Sequence, residues 1–79
     1  MHVRLYAVGR EIAGCTEYTS AATSVTELRA DLETRFGARM AQLFDASSVL
    51  HAGQRLGSDS QIIIGSDDVV DLLPPFAGG

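Results

Sequence analysis

Apolar residues in this chain recur first at every second position, then at every third or fourth, then in short runs. In "HVRLYAVG", Val3, Leu5 and Ala7 share one side while Arg4 and Tyr6 share the other. That alternation predicts a half-buried strand closed by Gly9. "REIAGC" carries a short apolar turn through Ile12 and Ala13, stopped by Gly14. "TEYTSA", rich in Thr and Tyr, reads as a second strand that makes a hairpin with the first across a loop longer than a tight turn. "SVTE" then has the form of a capping box, with Ser24 as N-cap and Glu27 three residues on, each satisfying an orphan amide of the first helical turn. Val25, Leu28, Leu32 and Phe36 follow at spacings of three and four and form one apolar stripe of a helix. Arg29–Glu33 and Asp31–Arg35 are spaced as i,i+4 ion pairs on its outer side, and Gly37 is placed to end it in a left-handed cap.

Beyond that helix, "ARMAQLFDAS" adds a helical turn that buries Met40, Leu43 or Phe44. "SVLHAGQ" reads as a short third strand ending at Gly53. "QIIIGSDD" holds an apolar triplet, Ile62 to Ile64, and then a turn through Gly65, Ser66 and Asp67. "VVDLL" is the last strand, and Pro74 and Pro75 stop it because neither can donate to a sheet ladder. The order is β-β-α-β-(β)-β, which makes a two-layer α+β domain with one main helix packed across one face of a mixed sheet. With the first and last strands side by side in the middle, this is the ubiquitin-like β-grasp. Residues 1–75 form the domain and residues 76–79 a flexible tail ending Gly-Gly.

Composition narrows the function classes. The chain has 79 residues, enough for one core, and a formal net charge of −4. Its six basic residues are all arginines, at positions 4, 10, 29, 35, 39 and 55, and they form no run. Nucleic-acid binding wants a concentrated basic face, so that class is set aside. The absence of lysine leaves only the amino terminus to accept an acyl group as an amine, so self-modification of the ubiquitin type is not expected. A single cysteine, Cys15, excludes an internal disulfide framework and a cysteine-based zinc cluster. No apolar run approaches 18 residues and no signal-peptide pattern opens the chain. The expectation is a reduced, cytoplasmic, soluble domain with no membrane partner.

The candidate chemistry lies in the ending "DLLPPFAGG". Pro74 and Pro75 favour an extended exit, so the tail projects from the sheet. Phe76 offers one anchor. Ala77, Gly78 and Gly79 carry almost no side-chain bulk and suit a channel too narrow for larger residues. The terminal carboxylate is a poor electrophile until activated, for example as an acyl-adenylate. Without a Cβ beside it, its carbonyl is open to close approach. The tail therefore reads as a substrate handle presented to another protein's active site.

A strand running into "PP", two more residues and "GG" resembles the ending of the MoaD/ThiS sulfur carriers, and "YAVGREIAG" at 6–14 resembles that family's first strand running into an Arg-Glu-apolar turn. The capping box and helix at 24–36 match in position. Within the family the chain is most similar to MoaD, the small subunit of molybdopterin synthase. The resemblance implies that an ATP-using adenylating enzyme of the ubiquitin-activating (MoeB-like) type activates Gly79, and that a sulfur donor converts the adenylate to a thiocarboxylate. The tail then enters the large (MoaE-like) synthase subunit, where the sulfur builds the dithiolene of molybdopterin. The chain is in this reading a non-catalytic carrier that binds no cofactor itself, with the catalytic residues on its partners. Gly79 carries the sulfur, Gly78 gives a slim approach, and Tyr6, Arg10, Leu73 and Phe76 occupy partner-contact positions. Two alternatives stay open: a ThiS-like or other sulfur carrier, and a ubiquitin-like binding module or modifier.

Other reactive side chains carry no function on this reading. Cys15 lies in a predicted loop with no basic neighbour to favour a thiolate. His2 and His51 have no spaced partner ligands, and Asp67, Asp68 and Asp71 match no calcium loop, so no metal site is expected. Tyr6 and Leu73 are expected to face outward on adjacent strands.

Overall fold

A computed structural model of the chain describes residues 1–75. Strand β1 (His2–Leu5) buries Val3 and Leu5 and exposes Arg4, so the alternation holds there but ends earlier than the pattern suggested. Ala7 is exposed and takes a positive φ of 49°, and the chain turns at once into a short helix, α1 (Val8–Ala13). Gly9 therefore sits buried inside α1, against Leu5 and Leu43, instead of closing the strand. The apolar turn expected at Ile12 and Ala13 is the second half of this helix, and both residues pack on the core. Gly14 ends it in a left-handed conformation (φ 74°), its N–H donating to the Arg10 carbonyl at 2.8 Å.

Strand β2 (Glu17–Thr19) returns antiparallel to β1, as expected. The main helix, α2 (Val25–Phe36), buries Val25, Leu28 and Leu32. Its cap is a variant of the expected box. The Ser24 hydroxyl accepts from the Glu27 N–H at 3.1 Å, but Glu27 reaches one residue further back, accepting from the Thr23 N–H at 2.8 Å and its hydroxyl at 2.9 Å. These bonds hold the Glu27 carboxyl below the usual carboxylate range, the backbone N–H having the largest part.

Of the two expected ion pairs, Arg29–Glu33 stands at 3.6 Å. Asp31 does not pair with Arg35; it accepts from the Tyr18 hydroxyl at 3.0 Å and the Ser20 hydroxyl at 2.6 Å, which ties α2 to the end of β2. Gly37 ends α2 with φ 96° and ψ −179°, a conformation outside the left-handed helical region that only glycine takes readily. The sharp turn there starts α3 (Ala38–Ala46), a full helix where the sequence suggested a turn, and it buries Met40, Ala41 and Phe44. Arg29 grips Asp45 with two bonds of 2.6 and 2.8 Å and so fastens α2 to α3.

Strands β3 (Ser48–His51) and β4 (Gln54–Leu56) form a hairpin through Ala52 and Gly53, both at positive φ as a two-residue type I′ turn requires. The bracketed strand is thus β4, and the triplet Ile62 to Ile64 forms no strand. Ile64 instead plugs the core from a loop, its N–H donating to the Thr23 carbonyl at 2.8 Å, while Ile63 is 76% exposed. Strand β5 (Val69–Leu73) stops directly before Pro74. The sheet order is β2-β1-β5-β3-β4, with β1 and β5 parallel at the centre and the other pairs antiparallel. All three helices belong to the layer that covers Val3, Leu5, Val49, Leu56, Val70 and Leu72.

Candidate functional site

The site is built on the two central strands and the face they turn away from the helices. Alternation along β5 buries Val70 and Leu72 and turns Val69, Asp71 and Leu73 outward. The strand registers then align Glu17, Arg4, Asp71, Leu50 and Arg55 side by side, one from each strand, across the whole outer face. This row is charged at its edges and centre, with Leu50 half-buried between Asp71 and Arg55. Leu73 follows on the same face, half-buried and opposite Ser48, and Val69 is 42% exposed at the other end of β5.

Asp71 organises the centre of the face. The Arg4 guanidinium donates to both its oxygens, Nε at 2.6 Å and Nη2 at 3.0 Å, in a fork that a lysine could not make. The Tyr6 hydroxyl donates to the same carboxylate at 2.8 Å. Arg4 is the chief cause that holds the Asp71 carboxyl below the usual carboxylate range; partial burial opposes it and Tyr6 assists. The bond to Asp71 in turn raises the Tyr6 phenol and the Arg4 guanidinium above their ordinary values. These contacts join β1 to β5 two residues before the chain leaves the sheet.

The sequence-derived residues are brought together unevenly. Tyr6 and Leu73 lie on the outer side of the two central strands, Tyr6 half-buried by its bond to Asp71. Arg10 stands exposed on α1, and among the described residues no hydrogen bond or ion pair joins it to the others. Pro74 is buried and Pro75 exposed, so the exit begins at the protein surface between them. Phe76, Ala77, Gly78 and Gly79 lie outside the described residues. Arg4, Leu50 and Asp71 were not singled out as contact residues; the signal available for them was the strict alternation of β1, β3 and β5, once the strand order is known.

The remaining titratable groups are structural in their contacts. His51 Nε2 lies 3.1 Å from Asp68 Oδ2, and the same carboxylate oxygen accepts from the Gly65 N–H at 2.8 Å. The Gly65 amide is the largest cause holding the Asp68 carboxyl below its usual range, with His51 second. His2 lies 3.7 Å from Glu17 on the outer face. Cys15 is half-buried against the core. Among the described residues no group of three or more His, Cys, Asp or Glu is placed to hold a metal ion, and no helix is long and apolar enough to cross a membrane. Open depressions among the described residues include one of about 480 Å³ where α2, α3 and β4 meet, floored by Val25, Phe44, Val49 and Leu56, and one of about 360 Å³ beside Arg4, His51 and Asp71.

A five-stranded mixed sheet with parallel central strands, one long crossing helix and a chain that leaves from the central last strand is the ubiquitin-like β-grasp. Two solved structures share it closely. The chain is similar to the crystal structure of SAMP1 from Haloferax volcanii, with a TM-score of 0.75 and 22% identity over 99% of this chain and 97% of the other. It is also similar to the solution structure of the Haloferax volcanii HVO 2177 protein, with a TM-score of 0.70 and 23% identity over 99% of this chain and 84% of the other. No protein-family model matches the chain, and no curated protein matches it by sequence.

Proposed function

We propose that this protein is a sulfur carrier whose Gly79 carboxylate is adenylated and converted to a thiocarboxylate, and that it serves molybdopterin synthesis as the small subunit of the synthase. The observation that carries the reading is the junction of "PPFAGG" to the central strand of a β-grasp sheet. A rigid strand clamped by Arg4, Tyr6 and Asp71 leads into two prolines, then Phe76 as an anchor, and last into Ala77, Gly78 and Gly79, which carry almost no side-chain bulk. That sequence of stiffness and slimness suits delivery of a carbonyl into a partner's narrow active site.

In this reading the outer face docks first and the tail reaches second. Leu50, Val69 and Leu73 supply apolar contact, while Arg4, Glu17 and Arg55 supply a charge pattern for the partner to match. An ATP-using adenylating enzyme activates the carboxyl: its oxygen attacks the α-phosphorus of ATP, and pyrophosphate leaves. Sulfide delivered by a donor then displaces AMP. The carrier contributes no acid, base or nucleophile to either step, and ATP binds the enzyme. The double proline favours the molybdopterin client over a ThiS-like thiazole client. A cytoplasmic location accords with the single, unpaired Cys15.

A second reading, favoured by the likeness to SAMP1 along nearly the whole chain, makes the same activated carboxyl the donor of an amide bond to another protein. The two separate in one reconstitution. Thiocarboxylated protein mixed with a large molybdopterin synthase subunit and the pterin precursor is expected to yield the dithiolene product, with the carrier returned to its carboxylate. Retention of the sulfur on the carrier in that mixture, with amide-linked adducts on lysines of other proteins when ATP and an adenylating enzyme are present, would reject the carrier reading for the modifier one.

A further inference from the structure

The chain contains no lysine, so its primary amine is the α-amine of Met1. The fold removes that amine from solvent. Met1 is 2% exposed, with its side chain in the core, and its ammonium donates to the Ser20 carbonyl at 2.7 Å. Ser20 N–H donates back to the Met1 carbonyl at 2.8 Å, and the next residue, His2, donates its N–H to the Asp68 carbonyl at 2.8 Å. The Asp68 carboxylate also feels the positive charge of the Met1 ammonium. Freeing the amine would require opening the start of β1 and withdrawing Met1 from the core, a local unfolding of a central strand.

We infer that the protein is a one-way acyl donor: its activated carboxyl cannot be captured by a second copy, because the single amine of that copy is locked into the sheet. The inference rests on the activation of Gly79 proposed above, in either its carrier or its modifier form. Capture of an acyl-adenylate needs an unprotonated amine nitrogen to attack the acyl carbon. The C–N bond forms, the bond to the AMP oxygen breaks, and the amine proton passes to solvent. The six arginines cannot do this, since a guanidinium stays protonated and has no free lone pair at neutral pH. Cys15 could form a thioester, but that link is undone by added thiol and is distinguishable from an amide. An amine-free surface keeps the activated carboxyl intact until the proper acceptor arrives, and it forbids chains of the protein built upon itself.

Two arms test this. In the first, the folded protein is treated near neutral pH with the N-hydroxysuccinimide ester of acetate and followed by intact mass, beside an Arg39→Lys variant, position 39 being exposed on α3. An exposed α-amine ordinarily outpaces a lysine there, because its lower pKa leaves more of it unprotonated. The reverse is expected here: the introduced amine acetylates on the order of tenfold or more faster than Met1, and unfolding in urea restores the ordinary order, with Met1 the faster. Acetylation of Met1 at the same rate with and without urea overturns the inference. In the second arm the protein is incubated with ATP and an adenylating enzyme under reducing thiol and without sulfide. Added methylamine is expected to be captured at Gly79, while amide-linked dimers do not form; dimers joined through Met1 overturn the inference. If no enzyme activates the chain, the proposed function has failed, and the first arm still decides the state of the amine.

Discussion

The two faces of the sheet are made by alternate residues of the same strands, yet they are built for different work. The inner face carries Val3, Leu5, Val49, Leu56, Val70 and Leu72, all under the helices and nearly free of solvent. The outer face carries Glu17, Arg4, Asp71, Leu50 and Arg55 in one row, with Leu73 beside the exit of the tail. Inner positions stabilise by burying apolar surface and are costly to truncate. Outer positions bury less apolar surface and stabilise less. Leu72 and Leu73 make the contrast sharpest, since they are adjacent in sequence and differ only in the side of the sheet they face.

The largest effect should therefore separate those two leucines. Leu72→Ala is expected to cost about 2–5 kcal/mol by opening a cavity in the core. Leu73→Ala should cost less than about 1 kcal/mol. Urea unfolding measures both, and equal losses would break the distinction between the faces. Next, Leu73→Arg should leave the unfolding midpoint nearly unchanged while weakening binding to the adenylating enzyme by roughly tenfold, as expected for an apolar contact replaced by a charge. Titration calorimetry with that enzyme gives the answer, and unchanged affinity would remove Leu73 from the interface.

A smaller loss, about 1 kcal/mol, is expected for Asp71→Ala, which strands Arg4 and Tyr6 on a partly solvated surface. Its acid dependence sharpens the assignment. Because the folded Asp71 pKa lies below the ordinary value, this contribution is fully present above pH ~4 and is lost as pH falls through the lowered folded value. The stability difference between the wild type and Asp71→Asn should accordingly shrink as pH drops below about 4. A difference that stays constant from neutral pH into that range would show that the carboxylate charge contributes nothing. The smallest effect lies away from both faces, in the β3–β4 turn. Ala52 holds φ 51° without the side chain that favours it, so Ala52→Asn should raise stability by about 0.5–1 kcal/mol in thermal unfolding.

Much of this architecture was legible because local chemistry and tertiary demand agreed. Ser24 and Glu27 mark the start of α2, the spacing from Val25 to Phe36 marks its buried side, and Pro74 marks the end of β5. The misreadings arose where packing overrode pattern. The run from Tyr6 to Gly9 looks like continuing strand, but the chain must turn at Ala7 to lay Ile12 and Ala13 on the core. The pattern assigns no element to the triplet Ile62 to Ile64, because periodicity cannot tell a short apolar strand from a loop that plugs a core with one residue. Gln54 to Leu56 became the strand because Ala52 and Gly53 supply the turn that pairs it with β3.

The candidate site divides in the same way. Strand parity alone turns Tyr6 and Leu73 outward, while their naming as partner contacts rests on the resemblance to the sulfur carriers. The Arg4–Asp71 fork could not be read in either way, because it depends on strands 67 residues apart lying parallel in one register. Asp71 interrupts an apolar strand, and its reason becomes visible only when Arg4 and Tyr6 are seen to converge on it. The burial of the Met1 amine is likewise a tertiary property, made by the carbonyl of Ser20 on the segment after β2.

The central claim is that a rigid β-grasp body presents a reactive carboxyl on Gly79. Intact-mass measurement tests it most directly, on the protein incubated with ATP, an adenylating enzyme and a sulfide source, beside a variant lacking Gly79. The account predicts a mass gain equal to the replacement of one oxygen by sulfur, located in the peptide that ends at Gly79 and absent from the truncated variant. A full-length chain whose mass stays unchanged, under conditions in which the same enzyme charges an established carrier, would contradict it.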